Sequence, residues 1–422
     1  MKSSFMFKAL SFILTAFVGS SLGFAQKQPD EISPSRLQSS RPLYASQMPH
    51  GSRSGFAGVN KFSSIPGIDS LVNWNGDFHA KGVDQNGVPR DLWLYTMVGN
   101  PPEKGGTTRF NAPVVPVTVI LLDYDGSIRM VEGQPMVSDP QPFVTPTMNS
   151  PVFKNHAYST SNVATQVTDA VQRAEFYNRM RWDWHTLLQG QVKQGRVMAI
   201  PRGLYQFSRN ADGTCCRFIL VDIDAFVSLF FPATPTDTTT PIGAAENAGD
   251  ITTKDISTFL FPNTYLFSGP LCCVLGFHTY DFEPGDANNG NLEKRYVLNY
   301  SSWISEGLFG GGFQDITALS HEVAETFNDP FVAGDGVHNI TPWWLSPNGN
   351  CQDNLEDGDV IEGLPNDVFP VKMNGRLYHP QNEALLQWFE FKSPSDAFAG
   401  AYSYPDTTTL TTLSPFENVN CQ

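Results

Sequence analysis

The sequence predicts an α+β fold, a mixed β-sheet packed with a few helices. Apolar runs of strand length, such as VVPVTVILLDYDG from Val114 and LFSGPLCCVLGFHTY up to Tyr280, are separated by Gly, Pro and Asn clusters. Helix-period patterns are few, and they do not alternate regularly with the strands as a doubly wound sheet requires. One helical stretch, Asp315 to Asp329, sets charged side chains against an apolar face. The chain beyond Val114 is long enough for one large domain or a two-lobed protein.

Taken in order, residues 1–25 read as a secretory signal peptide. Lys2 and Lys8 precede and enter a mostly apolar run from Phe5 to Val18, and Gly23 and Ala25 offer small residues for cleavage. That run is too short for a membrane span and no second one follows, so an exported chain, extracellular or periplasmic, is expected. Residues 26–110 are rich in Ser, Pro, Gly and Asn and read as an irregular arm, with at most short strands near Leu71–Trp74 and Leu92–Met97. The domain proper is expected over 111–422. Within it the patterns predict a strand from Val114 that ends at an Asp123–Gly126 turn, and a helix from Val163 to Asn178. Strands are expected over 196–206 and 216–230, with Asp222 and Asp224 on one face of the second. A short helix over Thr253–Leu260, an edge strand over Val297–Ser301 and a last helix over Asn382–Phe391 follow.

The charge is 27 basic against 42 acidic side chains, net -15. No basic patch offsets that field, which excludes nucleic-acid and anionic-membrane binding as primary roles. Six cysteines in an exported chain imply disulfides. The expected pairing cross-links the Cys215–Cys216 region with Cys272–Cys273, and joins Cys351 to Cys421.

The chemistry concentrates in DITALSHEVAETFND. Asp315 is the expected N-cap and Pro330 the stop. At about 100° per residue, Ile316, Leu319, Val323 and Phe327 share one face, while His321 and Glu325 lie one turn apart on the other. Glu322 follows the first of these directly. This is the HExxH arrangement of a zinc helix with Glu325 in place of the second histidine. His321 and Glu325 can reach one ion, and Glu322 can reach a water beside it. The third protein ligand is expected from the later NLEDGD turn, where Glu356 and Asp359 are candidates; Asp329, His338 and His278 are further ones. Zinc is the expected ion, with calcium or manganese as alternatives for a carboxylate-rich set. The competing expectation is an ordinary solvated helix face. A carbohydrate-binding role for exposed tryptophans has only aromatic content behind it.

SHEVAETFNDPFV, with LEDGD after it, resembles the HExAE…NP and E-x-G-D segments of exordium-like, phosphate-induced secreted plant proteins and related microbial extracellular proteins. The likeness spans Ile316–Glu362. Asp329 is inserted within the Asn-Pro ending, and the vicinal cysteines and the TPWW segment depart from the plant pattern. The resemblance implies an extracellular or cell-wall-associated protein with a zincin-like, metallopeptidase-like core, and it favours Glu356 as the third ligand. Two functions are therefore expected to compete. One is a secreted zinc-dependent hydrolase acting on peptide or extracellular protein, with Glu322 as the base. The other is a non-catalytic extracellular protein holding a structural zinc or calcium ion.

Overall fold

The computed structural model describes residues 30–38, 67–84, 86–269, 271–310 and 312–413. The expected signal peptide, much of the N-terminal arm and Cys421 lie outside these residues. The described chain is a mixed α+β structure with several sheets and short helices. None of its helices is long and apolar enough to cross a membrane.

An eight-stranded sheet carries the site. Its long member, Thr107–Leu121, pairs in parallel with His185–Val192 and Arg196–Ile200 on one side and with Ser257–Pro262 on the other. Ser257–Pro262 runs parallel to Glu293–Trp303, against which Gly276–Glu283 lies antiparallel. Burial on both faces explains the unbroken apolar run. Phe110, Ala112 and Val114 enter one core, while Val115, Val117, Val119 and Leu121 enter a second core on the opposite face. The first core lies under the Thr317–Asn328 helix, to which it contributes Val297, Trp303 and Tyr280. A third core joins Trp74, Trp93, Trp184, Trp344 and Trp388.

Several local expectations change. Val297–Ser301 is no edge, because Glu293–Trp303 is paired on both sides; Gly276–Glu283 ends the sheet there. The 216–230 stretch divides into a strand, Phe218–Asp222, and a helix, Ile223–Phe230. Asp222 is the N-cap of that helix, its Oδ1 accepting from the Ala225 amide at 3.1 Å, so it is not one of two carboxylates on a strand face. Residues 257–262, expected as part of a helix, form a fully buried strand because parallel neighbours take its backbone groups on both sides. The helix expected at Val163–Asn178 is limited to Val167–Glu175, and the last one to Leu386–Phe389. The short strands expected near 71–74 and 92–97 belong to one long hairpin, Asn73–Val83 with Pro89–Val98.

The cysteine pairing also differs. Cys215 bonds Cys216, and Cys272 bonds Cys273, so neighbouring residues close on each other and no cross-link joins the two regions. Cys351 is disulfide-bonded to a partner outside the described residues.

The helix that bears the motif depends on its apolar face. Leu319 is 2 % exposed and packs into the first core with Val323 and Phe327. Leu319→Ala is expected to lower unfolding free energy by about 2–5 kcal/mol in a urea titration. Val163→Ala, at an exposed position, should change it by less than about 0.5 kcal/mol.

Candidate metal centre

Every residue of the Thr317–Asn328 helix is buried, including the face expected to meet solvent. That face is covered by the Gly276–Glu283 strand and by the turn that follows Asn354. Both covers come close because they use glycine. A Cβ on Gly276 would lie 2.5 Å from Glu322 Oε1, and one on Gly358 would collide with the His321 ring. Asp315 is not the N-cap. It takes a positive φ of 48°, and its carboxylate accepts from the Ile316 amide at 2.6 Å and the His379 amide at 3.0 Å. At the other end Asn339 ties the helix to the hairpin, donating to Asn328 O and Thr96 O.

Two imidazoles and five carboxylates meet on the covered face, all at most 3 % exposed. His321 Nε2 is 3.1 Å from Glu325 Oε2 and 3.7 Å from Asp359 Oδ1. His278 Nδ1 is 3.3 Å from the same Glu325 oxygen, 3.6 Å from Glu356 Oε2 and 3.7 Å from Glu322 Oε2. Three groups have ligand atoms that all lie within 4.8 Å of one another: His278, Glu322 and Glu325; His278, Asp329 and Glu356; and His321, Glu325 and Asp359. Bonds of about 2.0–2.1 Å to a tetrahedral ion set neighbouring ligand atoms about 3.3 Å apart, which is the spacing around Glu325 Oε2.

The outer contacts orient these atoms. His278 Nε2 lies 3.1 Å from the Asp329 carbonyl, which can only accept, so Nε2 carries the proton and the Nδ1 lone pair faces the carboxylates. Four carboxylates are each held by one oxygen. Glu325 Oε1 accepts from the Gly358 and Asp359 amides, and Glu356 Oε1 from Asn354. Asp359 Oδ2 accepts from Gln352, and Asp329 Oδ1 from the Ala333 amide. The other oxygens of Glu356, Asp359 and Asp329 are buried with no hydrogen-bond donor, as are both oxygens of Glu322 and Nδ1 of His278. A buried lone pair aimed at carboxylate oxygens is unfavourable unless a metal ion, or in its place a proton on Nδ1, lies between them. The donor set therefore fits a divalent ion, and its mixture of two imidazoles with five carboxylates does not single out zinc.

Burial raises the Glu322 carboxyl to about 7 against the pull of His278 and His321. It raises Asp329 and Asp359 to about 7 as well, and Glu356 well above the carboxylate range. Glu325 goes the other way: burial opposes its charge, but His321 and His278 outweigh burial and hold it low. Burial would depress both histidines; the carboxylates of Glu356, Glu322 and Glu325 around His278, and of Glu325 and Glu322 around His321, hold them well above the usual range.

The residues singled out from the sequence divide clearly. His321, Glu322, Glu325, Glu356, Asp359 and Asp329 converge, and His278, a further candidate, stands among them. His338 does not join them; it pairs with Asp335 at 2.6 Å. Sequence reasoning missed the further buried carboxylates of Glu175, Asp357 and Glu383. The signal for His278 was slight, a single polar ring inside an apolar strand. Comparisons with family models, curated proteins and solved structures find no match to the chain.

In metal-free protein the folded chain holds protons on Glu322, Asp329 and Asp359 that the unfolded chain releases. That stability is present below the ordinary carboxylate range and is lost as pH rises through about 7. The raised histidines act in the same direction at higher pH, while Glu325, held low, opposes only in acid. The melting temperature of chelator-treated protein should therefore fall between about pH 5 and about pH 8. A melting temperature that rises over this interval would contradict the assignment.

Proposed function

We propose that the chain is an exported metal-dependent hydrolase with a zincin-like core, in which Glu322 is the general base. The observation that carries this reading is the Glu322 carboxylate, free of hydrogen-bond donors and set 3.7 Å from His278 Nδ1 and 4.0 Å from His321 Nε2. The residues that would hold the ion are His321, Glu325 and Asp359, with Glu356 in the adjoining group around His278, and zinc bound there would supply a Lewis acid. Glu322 takes a proton from the attacking water and returns it to the leaving amine. The Gly276–Glu283 strand orients the substrate. Among the described residues no strand pairs with its second edge, which suits addition of an extended peptide. Extracellular protein or peptide is the substrate class, and the likeness of the SHEVAETFNDP segment to exordium-like proteins supports export and cell-wall association.

A second reading, a structural ion in a non-catalytic extracellular protein, is favoured by the burial of every donor and by the contact of Gly276 with Glu322. Glu322→Gln separates the two. The hydrolase reading predicts about 10²–10⁴-fold loss of peptide turnover with metal content retained. Unchanged turnover in that variant would refute the role of Glu322. Absence of turnover in wild type across a broad peptide library, with metal bound, would select the structural reading.

A further inference from the structure

We propose that the buried cluster holds two divalent cations side by side, bridged by Glu325. This rests on the reading of the cluster as a metal centre and extends it from one ion to two.

Two of the three donor groups share no residue. His321, Glu325 and Asp359 form one; His278, Asp329 and Glu356 form the other. Each supplies an imidazole nitrogen and two carboxylate oxygens, a complete protein set for an ion that keeps a further position for solvent. No group contains both imidazoles, although Glu325 Oε2 is 3.1 Å from the nitrogen of one and 3.3 Å from that of the other. An ion with bonds of about 2.1 Å spans ligand atoms at most about 4.2 Å apart, so it serves one of these groups but not both. Glu325 Oε2 lies between the two positions, as a bridging oxygen does in centres whose ions stand about 3.5–4 Å apart. The third group, His278 with Glu322 and Glu325, places Glu322 beside the His278 ion.

The outer contacts support each half separately. In the first, Gln352 holds Asp359 and leaves Oδ1 without a donor. In the second, Asn354 holds Glu356, the Ala333 amide holds Asp329, and the Asp329 carbonyl fixes the His278 ring. Oε2 of Glu356, Oδ2 of Asp329 and Nδ1 of His278 are then buried without a hydrogen-bond partner, in a group whose ligand atoms lie within 4.8 Å of one another. One cation at the His321 position leaves those three atoms with no metal between them and only the His278 imidazolium set against two carboxylates. Charge points the same way: five ionised carboxylates with one divalent ion and the His278 imidazolium leave about two negative charges buried, whereas two ions leave about one. Oxygen-rich sets of this kind with a single imidazole each accept zinc or manganese.

The test uses full-length mature protein stripped by chelator and reloaded with Mn2+. Elemental analysis should give two manganese ions per chain, and electron paramagnetic resonance should show the exchange-coupled spectrum of a close pair. One ion per chain, with an isolated Mn2+ spectrum, would overturn the two-ion proposal and leave the metal centre standing; no bound ion would overturn both. Glu356→Gln combined with Asp329→Asn should reduce the content to one and abolish the coupling. Should that variant fail to fold, the wild-type stoichiometry and coupling decide by themselves.

Discussion

Burying ionised carboxylates is the constraint on which this structure depends. Glu322, Glu325, Asp329, Glu356 and Asp359 are withdrawn from water around two imidazoles, with Asp357, Glu383 and Glu175 behind them. An isolated carboxylate in such a place costs several kcal/mol after relaxation, and neighbouring negative charges add to that. His278 and His321 cannot neutralise the group even when both are protonated. A divalent cation resolves the conflict, because Glu325, Glu356, Asp359 and Asp329 each keep one oxygen on a protein donor and leave the other for the ion.

The architecture around the cluster follows from that requirement. The sheet gives the helix apolar contacts through Val297, Trp303 and Tyr280, with Glu325 toward His278 of the cover strand and His321 toward the turn at Gly358. Gly276 and Gly358 let the strand and the turn close on the helix without displacing Glu322 or His321. Asn339 and Asp315 anchor its two ends to distant segments. The result is a rigid first set of donors supported by a second, which is what a precise coordination geometry needs.

The parts legible in the sequence were those with strong local signals. The 3.6-residue period of Ile316, Leu319, Val323 and Phe327 located the helix, and the valine run from Val114 located a doubly covered strand. The acidic NLEDGD turn offered Glu356 and Asp359 as donors to that helix, and the E-x-G-D resemblance favoured Glu356. What was hidden is tertiary. Ser257–Pro262 has helix-compatible flanks, yet two parallel neighbours make it a strand. Asp222 alternates like a strand residue but caps a helix. His278 sits among apolar residues that give no hint of carboxylates from a helix and a turn more than forty positions away. The vicinal cysteines could not be paired from spacing, since nothing local distinguishes a bond within a pair from one between pairs.

A metal centre here requires cations in the space enclosed by His321, His278 and the carboxylates around Glu325. Anomalous diffraction from crystals of protein purified without added metal, recorded above and below the zinc and manganese edges, tests it most directly. The account predicts anomalous density about 2.0–2.2 Å from Glu325 Oε2 and from the imidazole nitrogen that faces it. Well-ordered side chains with no anomalous density, and protons shared between the imidazoles and carboxylates in its place, would contradict it.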